Sequence, residues 1–135
     1  MTFSRIPYEH LNARQKENYN FHKVSARLAD FGFTSVRLND DFEGADFIAL
    51  HIDGETMLRV QLKARMTIDR KYMGKGLHIA FLHGKRVFLY PHDVMVECLL
   101  KTTSIGATRS WREAGIYTWP KPSAAVMAYL NEYEV

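Results

Sequence analysis

The sequence predicts an α/β domain with a mixed central β-sheet flanked by helices. Three observations carry that reading. A helical stripe near the N-terminus precedes several short apolar runs of strand length. Asp53-Gly54 separates two of those runs as a hairpin turn does. A Pro-Lys-Pro break then introduces a last helix-forming segment at the far end. Helix, strands and helix within 135 residues describe one layered domain around a single core.

The first helix is expected over residues 11–31, where Glu17, Phe21, Val24, Leu28 and Phe31 recur at spacings of three and four. Gly32 follows as its C-cap. A first strand fits residues 34–38, and Asn39-Asp40-Asp41 is turn chemistry. The hairpin comes next, with strands over 46–51 and 58–63. Residues 65–76 read as a polar, basic connection closed by Gly74-Lys75-Gly76. Two more apolar runs, 77–82 and 86–90, are joined by His83-Gly84-Lys85 as a second hairpin. Pro91 stops the strand, and Asp93 is placed to cap a helix over 94–100. Residues 102–110 read as loop. A short strand over 115–119 follows from its Ile, Tyr, Thr and Trp content. Ser123 then caps a last helix with Val126, Tyr129, Leu130 and Tyr133 on one side.

Composition narrows the class. Hydrophobic content of 47% and charged content of 24% are those of a soluble globular protein. Cys98 is the single cysteine, which leaves no disulfide framework and no cysteine-based zinc site. A reducing, cytoplasmic setting is expected. No apolar run approaches the roughly 20 residues that span a bilayer, so no membrane association is expected. The first five residues lack the apolar core of a signal peptide. Net charge is only +3, yet Lys63, Arg65, Arg70, Lys71 and Lys75 face Asp69 alone between positions 63 and 75. Such an excess suits a polyanion such as DNA, with Arg65, Arg70, Lys71 and Lys75 as candidate contacts; a solvated basic loop is the ordinary alternative.

The hairpin also aims specific chemistry. If Asp53-Gly54 forms a two-residue turn, Ile52 faces Glu55, and counting back along both strands sets Asp46 opposite Gln61. Lys63 is then one diagonal step away. Side chains alternate with period two, so Asp46, Gln61 and Lys63 share one side of the sheet. A four-residue loop preserves that parity and a three-residue loop destroys it. Read singly, each has an ordinary alternative: a turn aspartate, an exposed strand glutamine, a solvated lysine.

The pattern of Asp46 with Gln61-x-Lys63 resembles the PD-(D/E)xK nuclease superfamily, the restriction-endonuclease-like fold, in its variant with glutamine at the last acidic position. The resemblance covers roughly residues 14–93 and rests on helix, strand, hairpin and motif in the same order. Ala45 stands where the usual motif has proline. The resemblance implies a metal-dependent endonuclease that hydrolyses DNA phosphodiester bonds with Mg²⁺ or Mn²⁺. Asp46, Gln61 and the Leu62 carbonyl would hold the metal, and Lys63 would attend the water and phosphate. Glu17, on the first helix, would support the site; it is equally a first-turn glutamate favoured by the helix dipole. A chain this small leaves little room for a recognition domain, so sequence specificity implies a homo-oligomer, dimer or tetramer, or a partner.

Two rivals remain open. The same fold without catalysis would be a module binding nucleic acid or a protein partner. Alternatively the motif is coincidental, and the aromatic segment with Trp111, Tyr117 and Trp119 mediates protein assembly. His78, His83 and His92 form no ligand pattern, and neither a catalytic triad nor a glycine-rich phosphate loop has a local signature.

Overall fold

Asn12 starts the first helix. Its side-chain oxygen accepts from the Gln15 N–H while the Gln15 side chain accepts from the Asn12 N–H, both at 2.9 Å, a reciprocal cap. In the computed structural model, which describes residues 1–135, helix α1 spans Ala13–Ala29. It is shorter at both ends than residues 11–31. Phe21, Val24 and Leu28 form its buried face, whereas Phe31 lies beyond the helix and is 53% exposed.

Seven strands follow: β1 Phe33–Phe42, β2 Ala45–His51, β3 Met57–Leu62, β4 Met66–Asp69, β5 Leu77–His83, β6 Arg86–Pro91 and β7 Ile116–Trp119. Helix α2 covers His92–Thr102 and α3 covers Ala124–Leu130. Five strands form one sheet in the order β1-β2-β3-β5-β6. Every neighbouring pair is antiparallel except β3 and β5, which are parallel. The sheet is therefore mixed, as the element order predicts. Parallel neighbours need a long crossover, and residues 63–76 supply it.

Each face of the sheet has its own cover. On one, Phe21, Val24 and Leu28 of α1 pack with Phe47, Val60 and Ala80. On the other, α2, α3 and a separate β4–β7 pair enclose a larger core that includes Ile79, Phe81, Phe88, Tyr90 and Leu99. Fully burying each such aliphatic or aromatic side chain is worth roughly 1.5–3 kcal/mol.

Several elements differ from the sequence reading. Asn39-Asp40-Asp41 is no turn: β1 runs through it with a register irregularity between Arg37 and Phe42, and the chain reverses at Glu43-Gly44. Gly44 has φ +87, and a Cβ there would lie 2.9 Å from Leu77 Cδ1, so only glycine fits without a shift. The connection 65–76 contains β4 and a 3₁₀ turn, Arg70–Tyr72. All four residues of β4 are buried, and β4 pairs antiparallel with β7. The Tyr90 hydroxyl fastens it to the main sheet, donating to the Thr67 carbonyl and accepting from the Thr67 N–H.

Helix α2 begins at His92, two residues before the expected start, and Asp93 sits inside its first turn without capping it. The Asp93 carboxylate instead accepts from the Gly74 N–H at 2.9 Å and lies 2.9 Å from His92 Nδ1. The expected loop 102–110 contains a 3₁₀ turn, Ile105–Ala107, and a single π-helical turn, Ser110–Ala114, follows. Strand β7 and helix α3 match expectation, with Ser123 Oγ accepting from the Val126 N–H at 3.3 Å. No helix is long and apolar enough to cross a membrane.

Candidate active site at the open end of the hairpin

The β2–β3 turn sets the register on which the site depends. Asp53 does not adopt a positive φ, although Gly54 does, at +75. That excludes the two-residue turn that needs positive φ at both central positions. Instead residues 52–55 form a four-residue loop, closed by the His51 N–H donating to the Thr56 carbonyl at 3.0 Å. Asp53 holds it: its carboxylate accepts from the Glu55 and Thr56 N–H groups at 2.8 Å each and from the Thr56 hydroxyl. These bonds, the Thr56 hydroxyl first, hold the Asp53 carboxyl far below the usual range. The loop is longer than the dipeptide suggests, yet its parity is the same. Leu50 pairs with Met57 and Phe47 with Val60. One further step brings Asp46 opposite Gln61.

At that step the strands cease ordinary pairing. The Leu62 N–H donates to Asp46 Oδ2 at 2.7 Å instead of to a strand carbonyl. The Gln61 amide nitrogen donates to the Leu62 carbonyl at 3.3 Å. The Lys63 N–H joins the Ala80 carbonyl at 2.9 Å, anchoring the end of β3 to β5, and its ammonium sits 5.2 Å from the centre of the Tyr72 ring. Gly44 approaches the same ring closely. A turn glycine, a core tyrosine and the site lysine are thus packed in series.

Burial raises the Asp46 carboxyl pKa, against the Leu62 N–H and Lys63, which lower it; Glu17 and Asp41 add to the rise. Asp46 is therefore a partly desolvated carboxylate in the field of two others. Glu17 is exposed at the rim on α1, as a carboxylate on that stripe must be unless a cation meets it.

Asp46, Gln61, Leu62, Lys63 and Glu17 all line one open cleft of about 860 Å³ between α1, β1 and the end of β3. The oxygen donors it offers are a carboxylate, an amide oxygen and a main-chain carbonyl, with a second carboxylate at the edge. No group of three or more His, Cys, Asp or Glu side chains converges as a metal cage.

Arg14, Lys16 and Arg37 also line the cleft. Beside Lys63 they make four cations against the two carboxylates Glu17 and Asp46. Sequence reasoning missed all three, because they lie on separate elements with no shared spacing. Arg37 is held across α1, donating to Asn18 Oδ1 at 2.6 Å with its guanidinium 5.0 Å from the centre of the Phe21 ring. Strand alternation gave no signal for it either: Arg37 stands opposite Phe47 on the α1 face, the parity opposite to that of Asp46.

Arg65, Arg70, Lys71 and Lys75 do not line this cleft. Arg70 donates to the Trp111 carbonyl at 2.7 Å and stacks on its ring, and Lys71 lies 3.8 Å from Asp69. The Lys75 carbonyl accepts from Arg59, and Arg65 is exposed. Trp111 and Trp119 are buried in the larger core. His92 is fully buried, its Nε2 accepting from the Asp69 N–H at 3.0 Å.

The sequence matches no protein-family model and no curated protein. In three dimensions the chain is similar to the solved structure of a bacterial homing endonuclease, I-Ssp6803I. The TM-score is 0.51 over 90% of this chain and 94% of that one, at 13% identity. At that identity the likeness is one of fold.

Proposed function

We propose that this chain is a metal-dependent endonuclease of the restriction-endonuclease-like, PD-(D/E)xK type, hydrolysing phosphodiester bonds of DNA. One observation carries the proposal: Asp46, Gln61 and Lys63 line one cleft, where the β2–β3 register sets Asp46 opposite Gln61. The likeness of fold to a homing endonuclease supports it.

The residues fit a hard divalent cation. Mg²⁺ keeps several waters and is held by one or two carboxylates plus substrate phosphate, without an all-protein cage. Asp46, the Gln61 amide oxygen and the Leu62 carbonyl are the donors that would hold Mg²⁺ or Mn²⁺, with Glu17 at the rim. Asp46 is itself the sign of fit, since its charge is desolvated and faces Glu17 and Asp41. Bound there, the metal would lower the pKa of a coordinated water and screen the phosphate.

The protein's own groups do the rest. The Leu62 N–H fixes one Asp46 oxygen and leaves the other for coordination. Lys63, held over Tyr72, would orient the attacking water and neutralise charge that develops on phosphorus. Arg14, Lys16 and Arg37 would grip the phosphates on either side of the broken bond. Gln61 contributes no charge, so metal affinity is weaker than with a glutamate there. That same substitution favours a second reading, a nuclease-fold module that binds DNA without cutting it.

The test is cleavage of supercoiled plasmid, linear duplex and single-stranded DNA with Mg²⁺, Mn²⁺ or EDTA. EDTA-sensitive cutting that falls about 10²–10³-fold in Lys63→Ala, with unchanged circular dichroism, is the expected result. Binding without cleavage under any of these conditions selects the second reading. Cleavage that survives both Lys63→Ala and Asp46→Ala overturns the site.

A further inference from the structure

Between α1, the N-terminal segment and the β5–β6 hairpin lies a second cationic cavity that the catalytic reading does not use. About 270 Å³ in volume, it is lined by Arg5, Lys23, Arg27 and Lys85 with Tyr19, and by no carboxylate side chain. Arg27 is anchored, donating to the Lys85 carbonyl at 2.9 Å and to the Val135 main-chain oxygen at 3.1 Å. Arg5, Lys23 and Lys85 are exposed, and none of the three is in an ion pair.

A continuous run of side chains joins this cavity to the cleft. Lys16 and Tyr8 line the cleft, and the Lys16 ammonium lies 5.4 Å from the Tyr8 ring centre. Tyr8 meets Tyr19 edge-on, with ring centres 5.2 Å apart. The Lys23 ammonium in turn lies 5.3 Å from the Tyr19 ring, on the edge of the second cavity. Two tyrosines flanked by two lysines thus run in contact from the cleft to the second cavity, Tyr8 from the turn before α1 and the other three from the helix itself. Aromatic rings set between cations are the surface that a nucleic-acid strand follows, phosphates on the cations and bases against the rings.

We infer that α1 is a docking track for the nucleic-acid backbone flanking the cleft, with Lys23 and Lys85 contacting phosphates at its far end. The inference rests on the proposed DNA reading and adds where the bound strand continues. From Lys16 to Lys23 the helix rises by seven residues, about 10 Å at 1.5 Å per residue, or about three phosphates at 3.4 Å per strand position. A strand that only fills the cleft stops short of Lys23 and Lys85, whereas one that runs about three phosphates further reaches them.

The experiment measures binding of fluorescent single-stranded and duplex DNA, about 6 and about 16 nucleotides long, in EDTA across a salt series. The full-length protein is compared with Lys23→Gln/Lys85→Gln, which removes charge without adding repulsion, and with Lys23→Glu/Lys85→Glu. The unaltered protein is expected to bind the longer DNA more tightly than length alone allows. The Gln pair should lose that gain and lower the slope of log K against log[salt] by about 1.5, the loss of two phosphate contacts. The Glu pair should lose more. DNA binding with the same length gain and salt slope in the Gln pair overturns the track while leaving the nuclease reading intact. No DNA binding by the unaltered protein overturns both.

Discussion

Asp46 shows what the candidate site costs the fold. Its carboxyl pKa is raised, chiefly by burial, so the native state holds that proton more tightly than the unfolded chain does. The group's contribution is most favourable below the unfolded pKa, near 3.8, and is lost as pH rises through the higher folded value. Asp46→Asn removes the charge at every pH and keeps an oxygen for the Leu62 N–H. In EDTA at pH 7 the variant is expected to melt above the parent, with the difference shrinking toward pH 4. A variant that melts at or below the parent at pH 7 contradicts this. Mg²⁺ should raise the melting temperature of the parent and not of the variant, because only a state that binds the ion gains from it. Gln61→Glu tests the other donor: restoring a carboxylate should tighten Mg²⁺ binding about tenfold, an estimate for one added charge-assisted ligand, as read by calorimetry.

Elements make the site possible by holding the hairpin and crossover in place. The crossover is more than a basic loop, because β4 lies inside it and is pinned by one hydroxyl. Tyr90→Phe leaves both the Thr67 N–H and the Thr67 carbonyl without their buried partner. Urea unfolding should show a loss of about 1–3 kcal/mol. A change below about 0.5 kcal/mol would mean that β4 and β7 are held by packing alone. Nothing in the spacing of residues 66–69 announced this strand. Four residues are too few to show a period, and its register exists only against β7, nearly fifty positions later. The same limit moved the first turn: Asn39-Asp40-Asp41 has turn composition, but pairing of Phe42 with Ala45 carries the strand past it.

For the molecule as a whole, the part of one sheet face that the larger core leaves uncovered predicts association. Val36, Leu50 and Met57 lie on the same side of β1, β2 and β3, and all are exposed. Contiguous exposed apolar residues on a sheet mark an interaction surface. This surface is the contact we propose for the homo-oligomer expected from the sequence. Sedimentation at micromolar concentration should give more than the 15.6 kDa of one chain, and Leu50→Lys/Met57→Lys should return it to monomer. A parent that sediments as a monomer throughout rules out this surface as the contact.

The sequence by itself determined the elements whose signals are local and the parity that follows from them. The stripe of α1, the hairpin around Asp53-Gly54 and the Ser123-capped helix were legible because neighbours in the chain create them. The common side of Asp46, Gln61 and Lys63 followed from counting, and a turn two residues longer than the simplest one left it unchanged. Only the tertiary structure decided what surrounds those three residues. Glu17 and Arg37 reach the cleft from different elements, Tyr72 is set beneath Lys63, and Asp46 is desolvated, all through contacts between distant positions. The basic run at 65–75, prominent in the sequence, lies outside the cleft, while the cleft's cations are scattered along the chain. Local composition reports charge density along the chain; folding sets charge density in space.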